Sequence, residues 1–450
     1  MNQQDVFASS QIIVFNPILN ESEDTKKEYF LYLRKLIHLA KWDRRKYTKA
    51  QIAFYKDKLC SELESNATIQ LPTFELKYSY LIPFDLAIML AYHSKIVGTE
   101  KSEMILNRIA TDFNLKNDAI ELLRLGFQAS LGDDESWNKI LHHRLLKNFK
   151  EYISILYKNS MFLQQRPCNM LITATMSAGK STLINALVGK NISLVQNMAC
   201  TSKIHTIVSK PFEDGITSEY DHDMSIDATK EDLLTDNDDN KSAKITVGTY
   251  FNSLIGGKRI MVFDSPGVNS SENIEHTEIT QKMIRSPKYK LLVYVLNATQ
   301  LGTTDDEQHL EVVAKHLGRT KIIFVMNKID HLISEDDNII DAIERQRKFL
   351  VTKGFKNPIV CPVSSRSAFL AKKSQTEGLS QIEQRELENY MDKFEVQSLQ
   401  DYYVNHIKCD SLPKTTDEVQ MLLNNCGFNY FEKIIDKNTN GGKQNGTSKC

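Results

Sequence analysis

Hydrophobic positions in the first third of the chain recur at helical spacing. Leu31, Leu33, Leu36, Ile37 and Leu39 form one stripe within a charged segment. Leu86, Ile88, Met89 and Leu90 form a second, Ile105, Ile109 and Phe113 a third, and Ile120, Leu122, Leu123 and Leu125 a fourth. Gly98 and Gly132 stand where helices should stop, and a last long helix is expected over 137–164, ending before Pro167. The spacing therefore predicts an α-helical N-terminal region, 1–165. From Asn169 the period changes. Short β-branched or apolar runs at 170–173, 204–208, 245–250, 260–263, 291–296, 322–325 and 359–363 alternate with helical stretches. That alternation predicts an α/β layer structure with a mainly parallel sheet.

The remaining segments read more simply. An acidic stretch, 213–239, contains Asp236, Asp238 and Asp239. It reads as a solvated surface insertion, with a metal-binding loop as the lesser alternative. The pattern is helical again over 374–436. The end of the chain is rich in Gly, Asn, Thr and Lys and is expected to be a disordered tail, 437–450. The organisation expected is a helical region (1–165), an α/β core (166–372), a helical C-terminal segment closing that core (373–436) and the tail.

Composition narrows the function classes. Apolar content is 41%, charged content 25% and formal net charge -1. This balance argues against a nucleic-acid binder driven by a strong basic field. Seven scattered cysteines without a Cys-x-x-Cys pair fit a reducing cytosol better than a disulfide framework or a zinc site. The first residues do not read as a signal peptide, and no apolar run approaches the length of about 18 residues that spans a bilayer. The expectation is a cytoplasmic protein that meets any membrane peripherally, from its surface.

The chemistry centres on Ala174-Thr175-Met176-Ser177-Ala178-Gly179-Lys180-Ser181-Thr182, which follows the run 170–173 and precedes a helical pattern that stops at Gly189. Strand, loop and helix in that order are the context of a phosphate-binding loop. Backbone N–H groups around Ala178 and Gly179 would face an anion, helped by the helix N-terminus. Lys180 would reach the β- and γ-phosphates and Ser181 would place its hydroxyl on Mg²⁺, with Thr182 beside it. Ala174 stands where the pattern expects Gly, and alanine would be strained there if the position needed φ > 0.

Three further motifs follow in order, each after a strand. Asp264-Ser265-Pro266-Gly267 offers a carboxylate for Mg²⁺, and Gly267 leaves an N–H for a γ-phosphate, although the same composition fits a plain β-turn. In Asn327-Lys328-Ile329-Asp330, the Asp330 carboxylate would accept from the ring N–H and amino group of guanine, which adenine does not present. Ser364-Ser365-Arg366 would add backbone N–H groups for the guanine oxygen and the Arg366 stem for the base, its register open by one residue; a serine helix cap fits equally. Thr201 is the candidate residue for Mg²⁺ and the attacking water, with Ser202 and Thr206 as competitors.

These motifs carry a resemblance. The run Met176 to Leu187, with Ser-Ala-Gly-Lys-Ser-Thr followed by Ile-Asn-Ala-Leu, looks like the dynamin superfamily and in particular its bacterial dynamin-like members, as do Asp264 to Gly267 and Asn327 to Asp330. The stretch 295–306 is similar to the same group, and Cys426-Gly427-Phe428 with Phe431 resembles the segment that closes the GTPase domain. The resemblance covers about 169–436. It implies a P-loop GTPase domain that hydrolyses GTP to GDP and phosphate with Mg²⁺ and is activated by self-association through its nucleotide face. It implies that Ser177 helps hold a monovalent cation or a γ-phosphate oxygen.

The candidate catalytic residues are thus Ser177, Lys180, Thr201, Asp264 and Gly267. The nucleotide-binding candidates are Ala178, Gly179, Lys180, Ser181, Thr182, Asn327, Lys328, Asp330, Ser365 and Arg366, and those for Mg²⁺ are Ser181, Thr201 and Asp264. Val268 stands where Ras-like GTPases carry a catalytic Gln, so slow basal turnover is expected. Family members that remodel membranes have a long stalk after the GTPase domain. Here the N-terminal helices or a partner dynamin-like chain would have to supply that part. Two other readings stay open: a guanine-nucleotide switch or scaffold recruiting a partner through the N-terminal helices with little hydrolysis, and an inactive nucleotide-binding module.

Overall fold

The computed structural model describes residues 6–60, 71–90, 100–193, 204–229, 231–233, 244–267, 274–286, 288–318, 320–332 and 339–439. The chain divides into two units. One comprises Met1–Arg166 with Lys210–Thr229, the other Pro167–Ser209 with Lys230–Cys450.

The first unit is built from helices α1 (Glu23–Leu39), α2 (Lys46–Leu59), α3 (Ile82–Met89), α4 (Glu100–Asp112), α5 (Asn117–Ser130), α6 (Asp134–Leu141) and α7 (Lys150–Gln164). The Ser22 side chain caps α1 by accepting from the Thr25 N–H, and Glu23 and Asp24 complement the helix dipole. The stripe seen in the sequence is the buried face of α1, except that Leu39 turns outward. Helix α3 is buried on every side. The single helix expected over 137–164 is broken. It ends at Leu141, and a 3-10 turn, Arg144–Phe149, intervenes before α7. The His143 imidazole accepts from the Leu145 N–H and caps that turn, a side-chain role that hydrophobic spacing does not report. Trp137 stacks on Phe84 and donates from Nε1 to Ser160 Oγ at 3.1 Å.

The segment Lys210–Thr229 belongs to this helical unit although its chain neighbours on both sides lie in the other. It carries a short antiparallel hairpin, β3 (Ser218–Tyr220) and β4 (Met224–Ser225). The expectation of a solvated acidic insertion is corrected for this part. Asp214 is buried, takes the Lys210 ammonium at 2.9 Å and accepts from the Gln11 N–H at 2.6 Å. Ser10 Oγ donates to the Phe212 carbonyl. Paired charges can be buried where isolated ones cannot, and composition does not reveal the pairing. Asp236, Asp238 and Asp239 lie outside the described residues.

The second unit is an α/β layer structure. Its strands are β1 (Cys168–Ala174), β2 (Ile204–Ser209), β5 (Lys244–Thr249), β6 (Ile260–Asp264), β7 (Leu291–Asn297), β8 (Lys321–Asn327) and β9 (Val360–Val363). They run in the order β5-β2-β6-β1-β7-β8-β9. Neighbours are parallel, except for the antiparallel pair β2 and β6. Every residue of β7 is buried, as a central strand covered on both faces requires. The helices are α8 (Lys180–Val188), α9 (Ile274–Ile284), α10 (Thr304–His316), α11 (Ile339–Thr352), α12 (Ser365–Thr376), α13 (Gln381–Val396), α14 (Gln400–Asn405), α15 (Glu418–Asn425) and α16 (Phe428–Thr439).

The C-terminal helices are fastened to this unit by polar contacts. Lys372 and Glu432 form a buried ion pair, and Glu432 also accepts from the Leu254 N–H at 2.8 Å. Tyr403 donates to the Pro362 carbonyl at 2.8 Å. Gly427, between α15 and α16, has φ +80°, and a Cβ there would lie 2.4 Å from the Pro362 oxygen. Only glycine fits that corner. The parallel strands β1, β7, β8 and β9, together with β6, end at one edge, where open α/β sheets bind ligands.

Candidate nucleotide site

Strand β1 ends at Ala174, which pairs with Val295 of β7. Ala174 is buried and its φ is not positive. The strain anticipated for alanine therefore does not arise, because the left-handed positions fall later, at Ser177 (φ 59°) and Gly179 (φ 85°). A non-glycine residue held at φ > 0 is uncommon, and such positions cluster at functional sites. Helix α8 begins at Lys180 directly after Gly179, with no side-chain cap, so its first N–H groups follow those of the loop as donors suited to an anion. Ala178 is buried, and Ser181 and Thr182 lie half-buried in the first turn. The Lys180 ammonium is paired with Asp264 at the end of β6.

One side chain joins three of the motifs. Asn327, the last residue of β8, donates from Nδ2 to the Ala178 carbonyl at 2.9 Å and to that of Gly179 at 3.4 Å. Its Oδ1 accepts from the Ser365 N–H at 3.0 Å. A Cβ on Gly179 would lie 2.3 Å from Asn327 Nδ2, so both the backbone angle and this close approach require glycine. Lys328 is also left-handed, at φ 63°. Asp330 is 5% exposed; its backbone carbonyl accepts from Lys393 Nζ at 2.8 Å, and its carboxylate lies 3.5 Å from His331 Nε2. Ser364 caps α12, and Ser365 Oγ is buried without a partner among the described residues.

Arg366 has a partner that its sequence reading did not include. Its guanidinium binds Glu386 through two N–H groups, at 2.9 and 2.7 Å, which raises the Arg366 pKa and lowers that of Glu386. The guanidinium is thus held by α13, and the sequence offered no means of pairing residues so far apart. The Asp264–Gly267 turn is held by its neighbours. The Ser265 N–H donates to the Ile172 carbonyl at 3.2 Å, and Thr280 Oγ1 of α9 donates to the Pro266 carbonyl at 3.0 Å. A Cβ on Gly267 would meet Met176 at 3.5 Å, so this turn and the phosphate loop are adjacent. Thr201 and Val268 lie outside the described residues.

Sequence reasoning missed Asn297, Asp306 and His309. Asn297 Nδ2 donates to Gln300 Oε1 at 3.2 Å and reaches the Ser177 carbonyl at 3.5 Å. Asp306 and His309 reach Thr175 and Thr173. Asn297 and Asp306 fall within the similar stretch 295–306 and His309 just beyond it, but nothing in the sequence singles out these side chains.

Residues 171–329 match the sequence model of the dynamin family. A bacterial dynamin-like protein of Nostoc punctiforme is 26% identical over 262 residues, covering 54% of this chain and 34% of its own length. A probable transmembrane FZO-like chloroplastic GTPase of Arabidopsis thaliana is 26% identical over 243 residues, covering 50% of this chain and 23% of its own length. The chain thus spans about a third or less of the curated relatives it matches. Among solved structures, an oligomerised bacterial dynamin pair, described as a mechanism for the long-range sensing and tethering of membranes, is similar with a TM-score of 0.36 at 14% identity. That match covers 88% of this chain and 63% of the other. Among the described residues no helix is long and apolar enough to cross a membrane.

Proposed function

We infer, for a chain whose residues 171–329 belong to the dynamin family of P-loop GTPases, that it binds guanine nucleotide and hydrolyses GTP to GDP and phosphate with Mg²⁺. The observation that carries this reading is the double role of Asn327. It fastens the phosphate loop through Ala178 and the base loop through Ser365, so that the two halves of one nucleotide site share a single support. The phosphates would lie against the N–H groups between Ser177 and Ser181, with Lys180 as counter-charge. Asp330 would accept from the guanine ring N–H and amino group, and Ser365 would meet the base from the other side.

The residues present fit Mg²⁺. Lys180 and Asp264 are in contact and carry opposite charges. A metal–phosphate unit entering between them would meet the carboxylate with its cation and the ammonium with its phosphate. Ser181 and Asp264 would hold the ion, together with Thr201. Mg²⁺ commonly binds one or two carboxylates and completes its shell with phosphates and water. When bound it would neutralise charge developing on the phosphate oxygens. Self-association through the nucleotide face, a monovalent cation at Ser177 and peripheral membrane contact, alone or with a partner dynamin-like chain, belong to the same proposal and rest on the family resemblance.

A second reading, a nucleotide-dependent switch with little hydrolysis, is favoured by one residue. Val268 cannot orient water where Ras-like GTPases carry Gln. Both readings require guanine selectivity. Displacement of a fluorescent GDP by GTP and GDP, but not by ATP or ADP, is the expected result. Equal displacement by adenine nucleotides would overturn both.

A further inference from the structure

The phosphate loop and the strand before it are also held by side chains of α10. Thr173 and Thr175 alternate with Ala174 at the end of β1, so their side chains share one face. That face meets α10. Thr175 Oγ1 donates to Asp306 Oδ1 at 2.7 Å, and Thr173 Oγ1 lies 3.1 Å from His309 Nε2. Asp306 and His309 are three residues apart on α10 and therefore on one helical face. The helix start is itself fixed, because Thr303 Oγ1 accepts from the Asp306 N–H at 3.2 Å. Thr173 also accepts from Ser265 Oγ at 3.0 Å, which brings in the turn that follows Asp264.

All five side chains of this cluster are buried or nearly so: Thr173, Thr175, Ser265, Asp306 and His309. Burial pulls the His309 pKa down to about 4, so at neutral pH its ring is uncharged and offers one donor and one acceptor. The ring packs against Tyr294, 5.3 Å between centroids. Within this low-dielectric cluster a lost partner leaves a polar group stranded, so the arrangement is held more stiffly than the same bonds in water would be.

We propose that Asp306 and His309 are positioning residues for GTP turnover: through Thr175 and Thr173 they lock the phosphate loop and the Asp264–Gly267 turn to one helix. Both are buried, and neither is among the residues assigned to the nucleotide. The two segments that must approach the γ-phosphate together thus take their spacing from α10. This inference rests on the reading of the site as a GTPase centre and adds the residues that set its geometry.

The test uses the full chain. Asp306→Ala and Thr175→Val remove the same hydrogen bond from opposite ends. Each is expected to lower kcat for GTP by about 10- to 100-fold, the scale of a small misplacement of reacting groups, with GDP affinity changed by less than about threefold. The double variant should be no slower than the slower single one, since both act on one interaction. Asp306→Asn keeps the acceptor oxygen and should restore turnover. Amides of 174–179 should exchange hydrogen faster in Asp306→Ala than in Asp306→Asn. Additive losses, or kcat and GDP affinity falling together with the unfolding midpoint, would mean a merely structural role and overturn the proposal. If the wild-type chain neither binds nor hydrolyses GTP, the functional reading fails by itself. The exchange comparison then decides the brace: faster exchange upholds it, and unchanged exchange overturns it.

Discussion

The Lys180 ammonium and the Asp264 carboxylate form an ion pair between the first turn of α8 and the end of β6, 84 residues apart in the chain. Both side chains are nearly buried, at 12% and 9% exposure. Each group therefore stabilises the other, and a bound metal–phosphate unit would take over both partnerships. This pair ties the phosphate loop to the turn that follows β6.

Lys180→Ala should abolish most of the function while leaving the fold intact. The phosphates lose their main counter-charge, and removing one such stabilising group from a polar catalytic site costs about 10²–10³ in rate. Turnover measured with saturating Mg²⁺, alongside fluorescent GDP binding, checks this. Wild-type affinity and rate would show that Lys180 does not face phosphate.

Asp330→Asn should convert the base preference. The buried carboxylate becomes an amide with a donor where guanine also donates, and mismatched buried polar groups cost about 10- to 100-fold in affinity. GTP should weaken by that amount and xanthosine triphosphate should gain. Competition between the two nucleotides reads the outcome; an unchanged GTP preference would remove Asp330 from the base site.

Ala174→Gly should not increase turnover. Ala174 lies in β1 opposite Val295, with no left-handed angle to relieve. The expected results are a rate within about twofold of wild type and a stability loss of about 0.5–1 kcal/mol, the cost of glycine in a strand interior. A large gain in kcat would mean that Ala174 restrains the loop.

These residues also show what the sequence made legible. Ser177 to Thr182, Asp264 to Gly267 and Asn327 to Asp330 were found because each motif is local, with its residues a few positions apart and a strand before them. The strands of the α/β unit emerged within a residue or two for the same reason, whereas the hairpin strands β3 and β4 fell in the stretch read as a solvated insertion. What stayed hidden depends on distant partners. Arg366 meets Glu386, Thr175 meets Asp306, and Lys210 with Asp214 turns an acidic stretch into a buried one. Hydrophobic period and local spacing carry no information on which polar side chains pair across the fold. The break between Leu141 and Lys150 was missed because a cap by His143 leaves the apolar spacing unaltered.

The helical unit should show its own pH dependence. Asp85 sits inside α3, fully buried, and accepts from Tyr29, Tyr55 and Asn16. Burial raises its pKa from 3.8 to about 6, against the lowering effect of those donors. A carboxyl raised in the folded state binds its proton more tightly there. Its contribution is therefore fully present below about pH 4 and is lost as pH rises through about 6, on the order of 3 kcal/mol in all. Denaturant unfolding of wild type and Asp85→Asn at a series of pH values isolates this. The difference between them should shift across pH 4–6, and parallel curves would contradict the assignment.

The central proposal, that this chain binds and hydrolyses GTP, is tested most directly by specific GTPase activity across a protein concentration series with Mg²⁺. Hydrolysis of GTP but not ATP, with activity per molecule rising as the chains meet, is the expected result. Activity that stays flat and near zero at every concentration would contradict it.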